Sequence, residues 1–341
     1  MKLTNTLVPS WKATKSVKAV VLALAVVGVP TVFADTLKIS HVRPQGTAID
    51  IDVRNLSKDL ESATDGDLNL RVYAANALGD YTVVQERISL GAIDMAVQPA
   101  SSAANRKMQI AFLPSLASNW EEAQNIYGSG GAIREAMQEL YAKQDITVLA
   151  AYPVYFGGIA LNVEDKSAGE IDIQKGIKLR VPPIKSFQLL AGNLGYIAAP
   201  LPFSEAFTAV QTGVVDGVIG SGAEGYYASF RDVTKTYIPL NTHFEVWYLI
   251  INSERLSDLS DAQQKALMSV ATEFENKRWL SAPGEQSKNE QKLADNGANI
   301  VEISPQQLAK ISDRVRENVW PEILNDIDAK WAQSILDKIE K

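Results

Sequence analysis

The segment from Gly176 to Gly220, GIKLRVPPIKSFQLLAGNLGYIAAPLPFSEAFTAVQTGVVDGVIG, restricts the fold more than any other part of the chain. A short apolar strand delivers Arg180 and stops at Pro182-Pro183, whose rings fix the backbone that follows. A helix comes next, and then a second, capped helix over Ser204 to Thr212. Gly213 ends that helix, and Val214-Val215-Asp216 turns into a strand at Val218-Ile219. Upstream, Asp80 to Leu90 reads as a helix, Gly91 stops it, and Ala92-Ile93-Asp94 leads into a strand over Met95 to Val97. In both places glycine supplies the left-handed conformation past a helix end. In both, the aspartate is placed to receive turn amides. The same helix-glycine-turn-strand device in each half points to two similar α/β lobes.

The rest of the chain fits that reading. Leu37 to Val42 alternates apolar and polar residues, as a half-buried strand does. Ile49, Val53, Leu56 and Leu60 recur at helical spacing within Ile49 to Ala63, and Leu68 to Tyr73 is a second strand. Trp120 to Lys143 is largely helical, and Ile146 to Ala151 is a strand. Tyr152 to Gly158 has the bulk and then the flexibility of a crossing between lobes. Val246 to Ile251 is continuously apolar, as in a fully buried strand, with a second crossing expected just before it. Ser260 and Gln263 form a capping box for a helix over Ala262 to Leu280. Ser304 and Gln307 repeat the arrangement with Pro305 at the first helical position, and Pro321 starts or kinks the last helix.

Export follows from the N-terminus. Lys12, Lys15 and Lys18 precede an apolar stretch, Ala19 to Val29, and Val32-Phe33-Ala34 supplies small residues for cleavage. The apolar stretch falls short of the ~20 residues of a membrane span. Residues 1–34 therefore read as a cleavable signal peptide, and the periplasm is the expected location. Losing its four lysines takes the net charge from −7 to −11. An acidic surface of that size disfavours nucleic acid and anionic lipid as partners. With no cysteine, disulfides and thiolate metal sites are excluded. The length of the mature chain suggests two domains. The expected division is 35–157 with about 247–285 in one lobe, and 158–246 with about 286–341 in the other.

Catalytic equipment is sparse. The two histidines, His41 and His243, show no metal-ligand spacing. No G-x-S-x-G elbow occurs, and Gly128-Ser129-Gly130-Gly131 lacks the phosphate-loop lysine. Arg180 is the leading site residue, because a guanidinium at a strand end can clamp a carboxylate through two parallel hydrogen bonds. An arginine there also serves often as a structural ion pair. Backbone amides at Gly220 and Ser221 face the expected cleft. Phe203, Phe156 and Trp247 are expected as its apolar walls, with Gln98 as a polar contact. His243 stands between a cleft position and a core position. No cofactor and no metal are expected.

Several motifs in order carry a family resemblance: Lys178-Leu179-Arg180-Val181-Pro182, Pro200-Leu201-Pro202-Phe203-Ser204-Glu205 and Gln211-Thr212-Gly213-Val214-Val215-Asp216-Gly217. With Leu78-Gly79-Asp80 and Gly91-Ala92-Ile93-Asp94, they make the mature chain resemble the DctP-type solute-binding proteins of tripartite ATP-independent periplasmic (TRAP) transporters. The resemblance implies a two-lobed fold with hinge-crossing strands and a long helix in the C-terminal third. It implies an interlobe cleft for an organic anion and delivery to the small and large TRAP membrane subunits. In that family the arginine of Leu-Arg-Val-Pro pairs with the ligand carboxylate, which implies that role for Arg180, and the phenylalanine of Pro-Phe-Ser-Glu lines the pocket, which implies it for Phe203. Two features depart from the sialic-acid binders. Val218-Ile219-Gly220-Ser221 replaces their Gln-Glu-Asn-Pro, and Tyr155-Phe156-Gly157-Gly158 carries no second arginine. A smaller or more apolar acid with one dominant carboxylate fits better. A monomeric binding protein is expected. A sensor or adaptor for the same anion is the alternative, and an enzyme using His243 as base is a weaker one.

Overall fold

A computed structural model describes residues 34–339; the signal peptide assigned to residues 1–34 lies outside them apart from Ala34. The chain opens as β1 (Asp35–Ser40), α1 (Ala48–Ala63), β2 (Leu68–Tyr73), α2 (Tyr81–Ser89) and β3 (Met95–Gln98). Ile49, Val53, Leu56 and Leu60 are all buried, so the helical spacing read from the sequence is the core-facing stripe of α1. Two helices follow, α3 (Trp120–Tyr127) and α4 (Ala132–Ala142), and then β4 (Ile146–Phe156). The expected single helix over 120–143 is broken because Gly128 and Gly131 lie against backbone carbonyls that leave no room for a Cβ. β4 is also longer than expected and runs through the residues read as a crossing.

The second half begins with β5 (Gly158–Leu161) and continues with β6 (Lys178–Val181), α5 (Lys185–Asn193), β7 (Ile197–Pro200), α6 (Phe203–Gln211) and β8 (Gly217–Ser221). Next come α7 (Ala223–Phe230), β9 (Thr236–Ile238), β10 (Phe244–Asn252) and a short α8 (Ser253–Ser257). The chain finishes with α9 (Asp261–Asp295), β11 (Asn299–Ile300), α10 (Pro305–Asn318), α11 (Trp320–Ile327) and α12 (Ala329–Ile339).

Two sheets result, with strand orders β2-β1-β3-β10-β4 and β11-β9-β5-β8-β6-β7. Each is built on three parallel strands joined through helices, β2-β1-β3 and β7-β6-β8. Each then gains an antiparallel neighbour, β10 against β3 and β5 against β8. The chain passes between sheets at Gly157, from β4 to β5, and returns between β9 and β10. A Cβ on Gly157 would lie 2.3 Å from the His243 ring, so only glycine fits this passage.

The repeated aspartates work differently from the expectation. Asp94 accepts the backbone N–H of Lys38 at 2.7 Å, and Asp216 accepts that of Lys178 at 2.8 Å. Each ties its turn to the neighbouring parallel strand instead of to its own turn amides. Gly91 and Gly213 do adopt the left-handed conformation, at φ of 71° and 74°.

The long helix α9 starts at the Ser260 capping box and extends about 52 Å at 1.5 Å per residue. It continues well past Leu280 and contains Pro283, which removes one main-chain hydrogen bond. β4 has extra residues relative to β10, and α9 side chains take up backbone groups there. Glu275 accepts the Ala151 N–H at 2.7 Å, Arg278 donates to the Pro153 carbonyl at 2.8 Å, and Gln286 accepts the Phe156 N–H at 3.1 Å. Among the described residues, no helix is long and apolar enough to cross a membrane.

Candidate functional site: a buried guanidinium between two sheets

Arg180 stands near the end of β6, with β7 and β8 on either side. Its side chain is buried, with 1% of the residue exposed. The Nε donates to the Leu201 carbonyl at 2.8 Å, and the guanidinium lies 5.8 Å from the Phe203 ring centroid. Among the described residues, no carboxylate lies within ion-pair distance of it. Burial holds its pKa below the ordinary arginine value, against the opposing influence of Tyr81, Tyr226 and Asp80. A buried cation without a counterion is costly, and the cost is relieved by a ligand anion.

Arg180 faces a cavity with about 430 Å³ of empty space, a volume suited to a small molecule. Phe203, the first residue of α6, lines it, as do Trp247 from β10 and Gly220 from β8. Gly220 has φ of 97°, and a Cβ there would lie 2.6 Å from the Pro182 ring. Glycine therefore lets the turn after Arg180 close down on β8. Phe112, Phe187, Ile184 and Val42 add apolar wall.

A second guanidinium shares the cavity. Arg43 follows β1, is 2% exposed, and lies 5.2 Å from the Phe203 ring and 5.0 Å from the Trp247 ring. Unlike Arg180 it is fully engaged. Its Nε donates to Glu224 at 3.0 Å, its Nη2 pairs with the same carboxylate at 2.9 Å, and it donates to Ser221 Oγ at 3.3 Å. Burial acts to lower its pKa, but the Glu224 charge outweighs burial and raises it. Because Glu224 belongs to α7, this pair ties the first strand unit to the second. Asp80 makes a lesser tie, accepting the Ser204 N–H at 3.4 Å.

Four expected wall residues stand elsewhere. Phe156 points into an aromatic core, 5.0 Å from Phe244 and 5.6 Å from Trp120, because strand alternation turns its neighbour Tyr155 to the cavity instead. Gln98 donates to the Tyr81 carbonyl at 2.8 Å and so holds the start of α2. Ser221 supports Arg43 with its hydroxyl, and its N–H donates to the Tyr226 hydroxyl at 3.3 Å. His243 lies behind the cavity wall, with Nδ1 3.0 Å from the Thr242 hydroxyl and Nε2 2.9 Å from Glu245. His41 is likewise internal, 3.2 Å from Asp50.

Sequence reasoning missed Arg43, Tyr81, Tyr155 and Glu245, all of which line the cavity. For Arg43 a signal existed. His41-Val42-Arg43-Pro44 ends the first strand as Leu179-Arg180-Val181-Pro182 ends its counterpart, with an arginine and a proline in each.

A cavity between two α/β sheets, with a spare cation and no assembled catalytic group, is the geometry of a receptor for a small anion. Residues 39–325 match the model of the bacterial extracellular solute-binding protein family 7, DctP, and the chain belongs to that family of TRAP transporter solute-binding proteins. Its members are binding proteins and not enzymes. A solute-binding protein of Roseobacter denitrificans is 26% identical over 322 residues, covering 92% of this chain and 97% of that one. The sialic acid-binding periplasmic protein SiaP of Vibrio cholerae is 25% identical over 246 residues, covering 70% and 74%. Among solved structures, the fold is shared with the sugar acid binding protein of Advenella mimigardefordensis in complex with galactonate. That match has a TM-score of 0.82 at 17% identity, covering 90% of this chain and 98% of that one. A Bordetella pertussis extracytoplasmic solute receptor binding pyroglutamic acid gives a TM-score of 0.79 at 19% identity, covering 90% and 100%.

Proposed function

We propose that the protein captures a small organic carboxylate in this cavity and delivers it in the periplasm to the small and large TRAP membrane subunits. The observation that carries this reading is Arg180, a buried guanidinium with a main-chain partner but no carboxylate partner among the described residues. A ligand carboxylate replaces the missing counterion through paired hydrogen bonds. The walls are mainly rings and aliphatic chains, which favours a compact, largely apolar acid over a polyol. The two bodies that close on it are 35–157 with about 247–285 and 158–246 with about 286–341, the crossing at Gly157 being one hinge point. Closure follows from contacts that the ligand makes to both sides.

A thermal-shift screen of organic acids identifies the ligand, since one at about 100 times its Kd adds about 2.7 kcal/mol of stability. Calorimetry on Arg180→Ala then tests the anchor. Loss of the partner of a buried carboxylate costs about 2–5 kcal/mol, roughly 30-fold to several thousand-fold in affinity. Unchanged affinity in a folded Arg180→Ala protein defeats the proposal.

A further inference from the structure

Glu245 is the group in the cavity that carboxylate capture leaves without a task. It stands on β10 two residues before Trp247, so strand alternation sends both side chains to the cavity face. Phe244 and Val246 point the other way, into the apolar core. Only 4% of Glu245 is exposed. Trp247 Nε1 donates to its Oε1 at 2.6 Å, and His243 Nε2 lies 2.9 Å from its Oε2. An ionised carboxylate has about four acceptor positions, so about two remain after these contacts. Around them the lining is chiefly aromatic, a setting in which unmet acceptor capacity is costly.

The cavity charges lead to the same place. Arg43 is neutralised by Glu224, whereas Arg180 and Glu245 face the cavity without pairing to each other. A ligand with a carboxylate alone satisfies Arg180 and adds a second anion beside Glu245. A ligand that also carries a donor satisfies both.

We propose that Glu245 is a specificity-determining residue that selects carboxylates bearing an N–H or O–H donor on an otherwise apolar frame. This rests on the carboxylate-capture reading and narrows its ligand class. A site built around a buried acceptor discriminates against the analogue that lacks the donor, because the acceptor is then left unpaired.

The test is calorimetry on the mature protein with acids matched in shape and differing in the donor. Suitable pairs are pyroglutamate with cyclopentanecarboxylate, 2-hydroxy-4-methylpentanoate with 4-methylpentanoate, and lactate with propanoate. Wild type is expected to bind the donor-bearing acid of at least one pair about 10- to 100-fold tighter, the effect of one hydrogen bond to a charged group. Glu245→Gln is expected to remove most of that preference while retaining binding that depends on Arg180. A role confined to holding Trp247 and His243 would leave the preference untouched. Equal binding within every pair, which needs no variant to be folded, overturns the inference and leaves carboxylate capture standing. So does a preference that survives Glu245→Gln. Failure of all six acids to bind overturns both readings.

Discussion

The strand units β1 to β3 and β6 to β8 share one backbone plan and use their cations in opposite ways. Asp94 and Asp216 brace them identically, and the pairings Ser40 with Ala96 and Arg180 with Val218 align the two central strands. Ser40 thus occupies in the first unit the place of Arg180 in the second. The first unit supplies its cation three residues later, at Arg43, where Glu224 neutralises it. The second leaves Arg180 without a carboxylate. One guanidinium joins the halves of the molecule and the other is kept for a visitor. Burial alone does not distinguish the two roles, since both side chains are hidden; the partner does.

The sharpest way to break this comparison is to remove each arginine separately. Arg43→Ala is expected to destabilise the protein by about 3–5 kcal/mol in urea denaturation, because Glu224 is left buried and unpaired. Arg180→Ala is expected to leave the midpoint unchanged or raise it, because a buried charge without a counterion disappears. Similar losses for the two would erase the distinction. Next in size, Arg43→Met combined with Glu224→Met is expected to regain most of the stability that either single change loses, since a buried ion pair can often be exchanged for apolar packing. Strictly additive losses in that double-mutant cycle would show that the pair does not act as a unit.

Smaller effects probe the turns. Gly220→Ala places a Cβ against Pro182 at a positive φ and should cost about 1–3 kcal/mol, with weakened ligand binding as the Arg180 turn shifts. The register counterpart of Gly220 is Gln98, and Gln98→Ala should cost about 1 kcal/mol for its hydrogen bond to Tyr81. The smallest effect is in pH. Burial lowers the His41 pKa below its ordinary 6.5, more than Asp50 raises it. The unfolded chain therefore binds this proton first, and His41 costs stability as the pH falls below 6.5. Melting curves between pH 7 and 5 should show a decline that is shallower in His41→Gln.

Much of the frame was legible because it rests on local chemistry. The capping boxes at Ser260 and Ser304, the glycines at 91 and 213 and the apolar stripe of α1 each declare themselves within a few residues. β7 escaped notice because Ile197 to Pro200 is short and partly exposed and carries no periodic signal. α9 outran its expected end because Pro283 signals a stop that tertiary packing overrides. At the site, Arg180, Phe203 and Trp247 could be named from strand and helix ends. Phe156 went to the wrong side because a strand continuing to residue 156 sets which of two adjacent aromatics faces inward. Glu245 was hidden in a run of apolar residues, where only the alternation of a completed strand reveals its direction.

Pro283 also has a mechanical consequence. The part of α9 before it is fastened to the first sheet through Ala271 and Phe274, and the part after it reaches the second through Leu293. The turn between these anchorages is one rung short. A rod clamped at both ends flexes where its ladder is thinnest, so this spine concentrates compliance at the level of the gap and spares the ordered ends.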